Sequence, residues 1–192
     1  MNITRPTSLN YLDGLAVHWY WDEIFGPELI DNTLQFMPNK LVFNTEACIG
    51  DKPWQTHGPE LGSWERGEQY IRSLLQDFKH NFNGWLDWNL ILDESGGPNY
   101  INNTVDAPII ANTTSNPYLL LHFQILIFFI FSTIDNKEFY KQPIFYAIGH
   151  FSKFLVENSK RIELNISAVQ NTVDAVGFKR PDNKIVLIIF NR

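Results

Sequence analysis

The chain has 192 residues, a formal net charge of −6 and 44% hydrophobic residues, including six Trp and fifteen Phe. That length and apolar content are enough for an ordinary folded core and exclude extended disorder over most of the chain. The acidic balance shows no basic stripe for nucleic acid, and the single Cys48 excludes an internal disulfide framework.

In chain order, Met1-Asn2-Ile3-Thr4-Arg5-Pro6 lacks the apolar stretch of a signal peptide. Leu15-Ala16-Val17-His18-Trp19-Tyr20 is a short apolar run with a polar, aromatic end and predicts a buried strand. A helix fits within 23–36 and is broken by Pro38-Asn39. Leu41-Val42-Phe43-Asn44-Thr45-Glu46 repeats the pattern of an apolar strand that turns abruptly polar. Residues 62–80 predict a second helix, with Ser63 as N-cap and Leu74, Leu75 and Phe78 on an apolar face. Gly84 to Leu90 predicts a third strand. Strand–helix–strand–helix–strand at this spacing argues for parallel β/α units, in which the polar C-terminal strand ends are where a (β/α)₈ barrel carries its site.

Further on, 118–131 is an apolar run interrupted by His122 and Gln124. It is marginal for a membrane span, which needs about 20 mainly apolar residues, and it leaves open a membrane-anchored protein. Glu138 to Leu155 predicts a helix interrupted at Pro143 and Gly149. Arg161–Gln170, Thr172–Phe178 and Ile185–Phe190 read as strands, the last two flanking a turn at 179–184, which predicts an antiparallel β portion. A domain boundary is expected near residue 158. Sequons at Asn2, Asn102, Asn112 and Asn165 permit glycosylation in a secretory route.

Three strand ends carry candidate chemistry. Glu46 is placed to attack an anomeric carbon and form a glycosyl ester; a solvated carboxylate at a strand end is the simpler alternative. Tyr20 can donate a hydrogen bond to a neighbouring carboxylate, and His18 can do the same or serve as a satisfied core histidine. Trp88 can stack on a sugar face, while Asp87 and Asn89 can bind hydroxyls. Strand alternation sends Trp85, Asp87 and Asn89 one way and Leu86 and Trp88 the other, so an irregular strand end is needed for all to share a pocket. The five His have no metal-ligand spacing, and no phosphate-binding glycine loop occurs.

Taken together, Gly14 to Tyr20, Thr45 to Gly50, Leu61 to Gly67, Gly84 to Leu90, Gly96 to Asn99, Val105 to Ile110, Phe139 to Pro143 and Gly149 to Phe154 resemble, in order, the glucosylceramidases of glycoside hydrolase family 30. The resemblance implies the C-terminal part of a (β/α)₈ TIM barrel over 1–157, about three β/α units with an apolar insertion at about 115–134, then part of a β-sandwich over 158–192. It implies retaining hydrolysis of glucosylceramide to glucose and ceramide without a cofactor. Carried over by motif, Glu46 is the nucleophile, Tyr20 its hydrogen-bonding neighbour, and His18, Trp88 and Asn103 contacts to glucose. Lysosomal location peripheral to a membrane, a saposin-type activator and an acidic phospholipid surface are implied in the same way. The family's general acid lies in an Asn-Glu-Pro motif, and no Asn-Glu dipeptide occurs in this chain. The resemblance leaves about 115–133 without a counterpart and identifies that segment as an insertion, most simply translated intron. A catalytically inactive fragment or pseudoenzyme is the competing expectation.

Overall fold

A computed structural model describes residues 8–22, 24–113, 138–167 and 172–191. The apolar run at 118–131, and with it the whole of the insertion expected at about 115–134, lies outside the described residues. Two compact units are present, one formed by Met1–Ala47, Ile71–Asp87 and Gly149–Arg192, the other by Cys48–Tyr70 and Trp88–Ile148. No helix among the described residues is long and apolar enough to cross a membrane.

In the first unit, β1 (Gly14–His18), β2 (Leu41–Glu46) and β3 (Gly84–Trp85) form a parallel sheet in that order. Helix α1 (Glu28–Leu34) connects β1 to β2, and α2 (Trp64–Lys79) precedes β3. The expected strand–helix alternation is therefore present. The third strand is shorter than expected: β3 pairs only with Phe43 and Asn44, and Leu86 N–H adds one last bond to Asn44 O at 2.8 Å. Beyond Asn44, strand β2 has only Thr45 and Glu46 left to offer a partner. The approach of β3 requires Gly84, because a Cβ there would lie 2.7 Å from the Phe43 ring.

Helix α2 buries Arg66, Tyr70, Ser73, Leu74, Leu75 and Asp77, the three-to-four-residue spacing of one helix face. It ends where Asn81 adopts a left-handed φ of 66° and Phe82 N–H returns to Asp77 O at 3.1 Å, with Phe82 buried beneath the cap. Near this end Phe78 stacks on Phe151 at 5.7 Å and meets Phe178 edge-on at 5.7 Å, and Lys79 pairs with Asp174.

Residues 138–155 are not one interrupted helix. Phe139–Lys141 forms β6, and helix α3 begins at Pro143 and runs to Ser152. Proline suits the first helical position, where its missing N–H has no partner to lose, and it pushes the residue before it toward extended backbone. In the second unit, β4 (Ile91–Asp93) pairs parallel to β5 (Ile109–Ala111), and β5 pairs antiparallel to β6. Gly67 of α2 lies against Pro143, where a Cβ would come within 2.7 Å of the ring carbon.

A buried polar cluster holds this second unit. Arg66 Nη1 donates to Asp106 Oδ2 at 2.6 Å and Gly58 O at 2.7 Å, and Nη2 donates to Thr56 O at 2.6 Å. Asp106 also accepts from Glu60 N, Ala107 N and Gln142 Nε2, while Gln142 Oε1 accepts from Gly62 N. Arg66, Asp106 and Gln142 are each 5% exposed or less. Their partners are largely loop backbone groups, which otherwise have no ladder to satisfy them.

The tail forms an antiparallel sheet of β7 (Lys160–Ile162), β8 (Val173–Lys179) and β9 (Ile185–Asn191). Of the strand expected over 161–170, the residues described up to 167 show only the short β7, which pairs with Gly177–Lys179; 168–170 lie outside the described residues. The expected hairpin is present: Pro181 and Asp182 make the turn, and Asn183 takes a φ of 64° before Lys184 closes the loop with Arg180.

Candidate active site

The ends of β1 and β2 build the site. They run parallel in register until an irregularity between Val17 and His18, which sets His18 opposite Glu46 rather than Thr45. Trp19 N–H then donates to Glu46 O at 3.3 Å, carrying the pairing one residue beyond the strand. This brings Tyr20 over the strand end, where its hydroxyl donates to Glu46 Oε1 at 2.7 Å. His18 Nδ1 lies 3.7 Å from the same oxygen, an ion pair only when the imidazole is protonated. The His18 and Tyr20 rings meet edge-on at 6.0 Å.

The Glu46 side chain is 22% exposed and that of His18 is 49% exposed. One carboxylate oxygen is thus held by Tyr20, while Oε2 has no hydrogen-bond partner among the described residues. A partly exposed carboxylate oriented through one of its oxygens has the arrangement a nucleophile needs.

Trp19 meets Trp85 edge-on at 6.4 Å, tying β3 to the same end of the sheet. Trp88 and Asn103 belong to the second unit; Trp88 is 50% exposed and Asn103 is partly exposed. Exposure alternates from Trp85 to Leu90, as period-two backbone requires. No group of His, Cys, Asp or Glu suited to a metal ion occurs among the described residues.

Sequence reasoning missed Asp77. Its carboxyl is 3% exposed and accepts from Asn44 Nδ2 at 2.9 Å, and Asn44 is itself 1% exposed. Burial pushes Asp77 up to about 7; the Asn44 hydrogen bond opposes that shift and the Asp22 charge adds to it. The spacing of Asp77 from Leu74 puts it on the apolar face of α2, but a charge at that spacing ordinarily reads as solvated surface. Because the folded value exceeds the unfolded one, the native state holds the proton more tightly, and stability declines as pH rises from about 4 through about 7. Asp77→Asn is expected to remove this decline, stabilising the chain at pH 8 by on the order of 3 kcal/mol while changing little at pH 4. Urea midpoints of the two proteins across this range check it; parallel curves would refute it.

Residues 2–155 match the glycosyl hydrolase family 30 TIM-barrel domain and 158–192 the family's β-sandwich domain. The chain is 37% identical over 191 residues to the lysosomal acid glucosylceramidase of Mus musculus, covering 99% of this chain and 33% of that protein. It is 42% identical over 179 residues to putative glucosylceramidase 3 of Caenorhabditis elegans, covering 91% of this chain and 30% of that one. The chain therefore spans about a third of the length of these relatives. Among solved structures, SrfJ from Salmonella typhimurium superposes with a TM-score of 0.73 at 25% identity, over 98% of this chain and 36% of that one. The endo-β1,6-glucanase BT3312 gives 0.69 at 21% identity, over 95% and 35%, a likeness of fold. With parallel β/α units followed by an antiparallel sheet, and with both domains matched in order, the chain belongs to glycosyl hydrolase family 30 as part of its TIM barrel followed by part of its β-sandwich.

Proposed function

We propose that this chain carries the nucleophile half of a retaining β-glucosidase acting on glucosylceramide. The observation that carries the reading is the 2.7 Å bond from Tyr20 to Glu46 at the aligned strand ends. Glu46 Oε2 attacks the anomeric carbon, forming a glycosyl ester as the C1–O bond to the aglycone breaks. A second carboxyl about 5 Å away donates its proton to the departing oxygen, then as carboxylate takes a proton from the water that cleaves the ester. Glucose and ceramide leave and Glu46 is regenerated. His18, Trp88 and Asn103 would bind the glucose, Trp88 by stacking. The glucosylceramidase relatives support this substrate.

The absence of any Asn-Glu dipeptide supports a finer statement: the general acid is missing from this chain, which on its own is catalytically inactive or nearly so. The matched domains support division into 1–157 and 158–192. The apolar run within about 115–134 supports an insertion there, which a transcript lacking it would identify as intron. A lysosomal setting accords with the named relative; an acidic phospholipid surface and a saposin-type activator are proposed from the family resemblance alone.

The test uses a leaving group that needs no proton. A 2-fluoro β-glucosyl fluoride is expected to leave a glycosyl adduct on Glu46 of the 192-residue chain, located by peptide mass mapping. Adducts at Asp87 or Glu23 instead would refute the assignment.

A further inference from the structure

We infer that Asp77 is a positioning residue for Glu46, acting through the carboxamide of Asn44; this rests on the reading of Glu46 as the nucleophile. Asn44 stands two residues before Glu46 on β2 and is held at both poles. Its Nδ2 donates to Asp77 Oδ2 at 2.9 Å, and its Oδ1 accepts the backbone N–H of Glu46 at 3.4 Å. A side chain on α2 thereby fixes the peptide from which the Glu46 carboxylate projects.

The cost of the arrangement indicates a specific role. Burying a carboxyl is unfavourable unless it is well satisfied. Among the described residues Asn44 is its one hydrogen-bond donor, and Ser73 Oγ, one turn earlier on α2, is buried without a partner. Leucine at 77 would serve packing alone at lower cost. Burial also keeps Asp77 largely neutral below about 7, so it can orient Asn44 without adding charge beneath the nucleophile; Asp22, in the segment after β1, is the charged group acting on it, and Asn44 is its contact from β2.

The experiment compares the wild-type 192-residue chain with Asp77→Asn, Asp77→Leu and Asn44→Ala. Asparagine keeps an acceptor for Asn44, whereas leucine removes it. Inactivation by the 2-fluoro β-glucosyl fluoride is resolved into its limiting rate and its binding constant, counting only folded protein, and the Glu46 backbone amide is followed by ¹⁵N NMR. The expected result is a limiting rate reduced about tenfold or more by Asp77→Leu and by Asn44→Ala, with the binding constant within about twofold. The Glu46 amide resonance should shift in both, and Asp77→Asn should restore rate and shift. Should Asp77→Leu not fold, Asn44→Ala cuts the same link from the other side and decides. Unchanged limiting rates and an unmoved Glu46 amide would assign Asp77 to packing alone, and failure of Asp77→Asn to rescue would overturn the hydrogen-bond link. If wild type labels at Glu46 and only the variants behave unexpectedly, the positioning role falls and the nucleophile stands. If wild type does not label there, the nucleophile reading falls and the inference with it.

Discussion

Offered a β-glucoside with a poor leaving group, the 192-residue chain is expected to turn over more slowly than a protein carrying both carboxyls by roughly 10²–10⁴-fold or more. An alkoxide such as that of ceramide leaves slowly unless it is protonated as the C1–O bond breaks, and the Asn-Glu context of the family's acid does not occur in the chain. A fluoride or dinitrophenolate leaves without a proton. The deficit should therefore be much smaller for the glycosylation step with such substrates, and the ratio between good and poor leaving groups becomes the measurement. Glu46→Gln should abolish reaction with both, because it removes the attacking oxygen rather than the proton donor. Turnover of an alkyl glucoside close to that of an intact glucosidase would mean that another carboxyl of this chain serves as the acid.

Much of this site was legible beforehand because it depends on strand ends. Apolar runs that turn polar at Tyr20 and Glu46 mark the two strands and their polar ends, and the parallel pairing of β1 with β2 joins them; the buried strand expected at 15–20 is instead only half-buried to exposed. The shortening of the third strand was less legible, since Trp85 to Leu90 keeps its alternating exposure after the ladder has ended. Pro143 reads as a helix breaker in a propensity window, yet the same ring geometry makes it a helix starter once β6 precedes it. Asp77 and the Arg66 cluster were hidden for another reason. A charged residue at helical spacing reads as solvated surface, and only the fold tells which charges have been taken inside with their partners.

Removing one member of that cluster is the largest stability change expected. Asp106→Ala would leave the Arg66 guanidinium, whose side chain is 6% exposed, with its charge uncompensated except by Glu60, which is half exposed. It would also release Glu60 N and Ala107 N from the carboxylate, together with Gln142 Nε2, which keeps only a 3.4 Å contact to Glu60 O. Breaking a buried ion pair from one side costs about 3–5 kcal/mol, against a total stability of about 5–15 kcal/mol for a typical domain. The variant is therefore expected to be largely unfolded or to melt at a much lower urea concentration. By contrast, Asp182→Ala in the exposed Arg180–Asp182 pair should leave the midpoint almost where it was, since water replaces the lost partner. Pairing Asp106→Leu with Arg66→Met separates the two causes of the loss. An uncompensated charge is cured by removing both partners, so part of the stability should return. The carbonyls of Gly58 and Thr56 would still lack their donor, so recovery should stop short of wild type. A double variant no better than Asp106→Ala would assign the whole loss to the loop backbone bonds rather than to the buried charge.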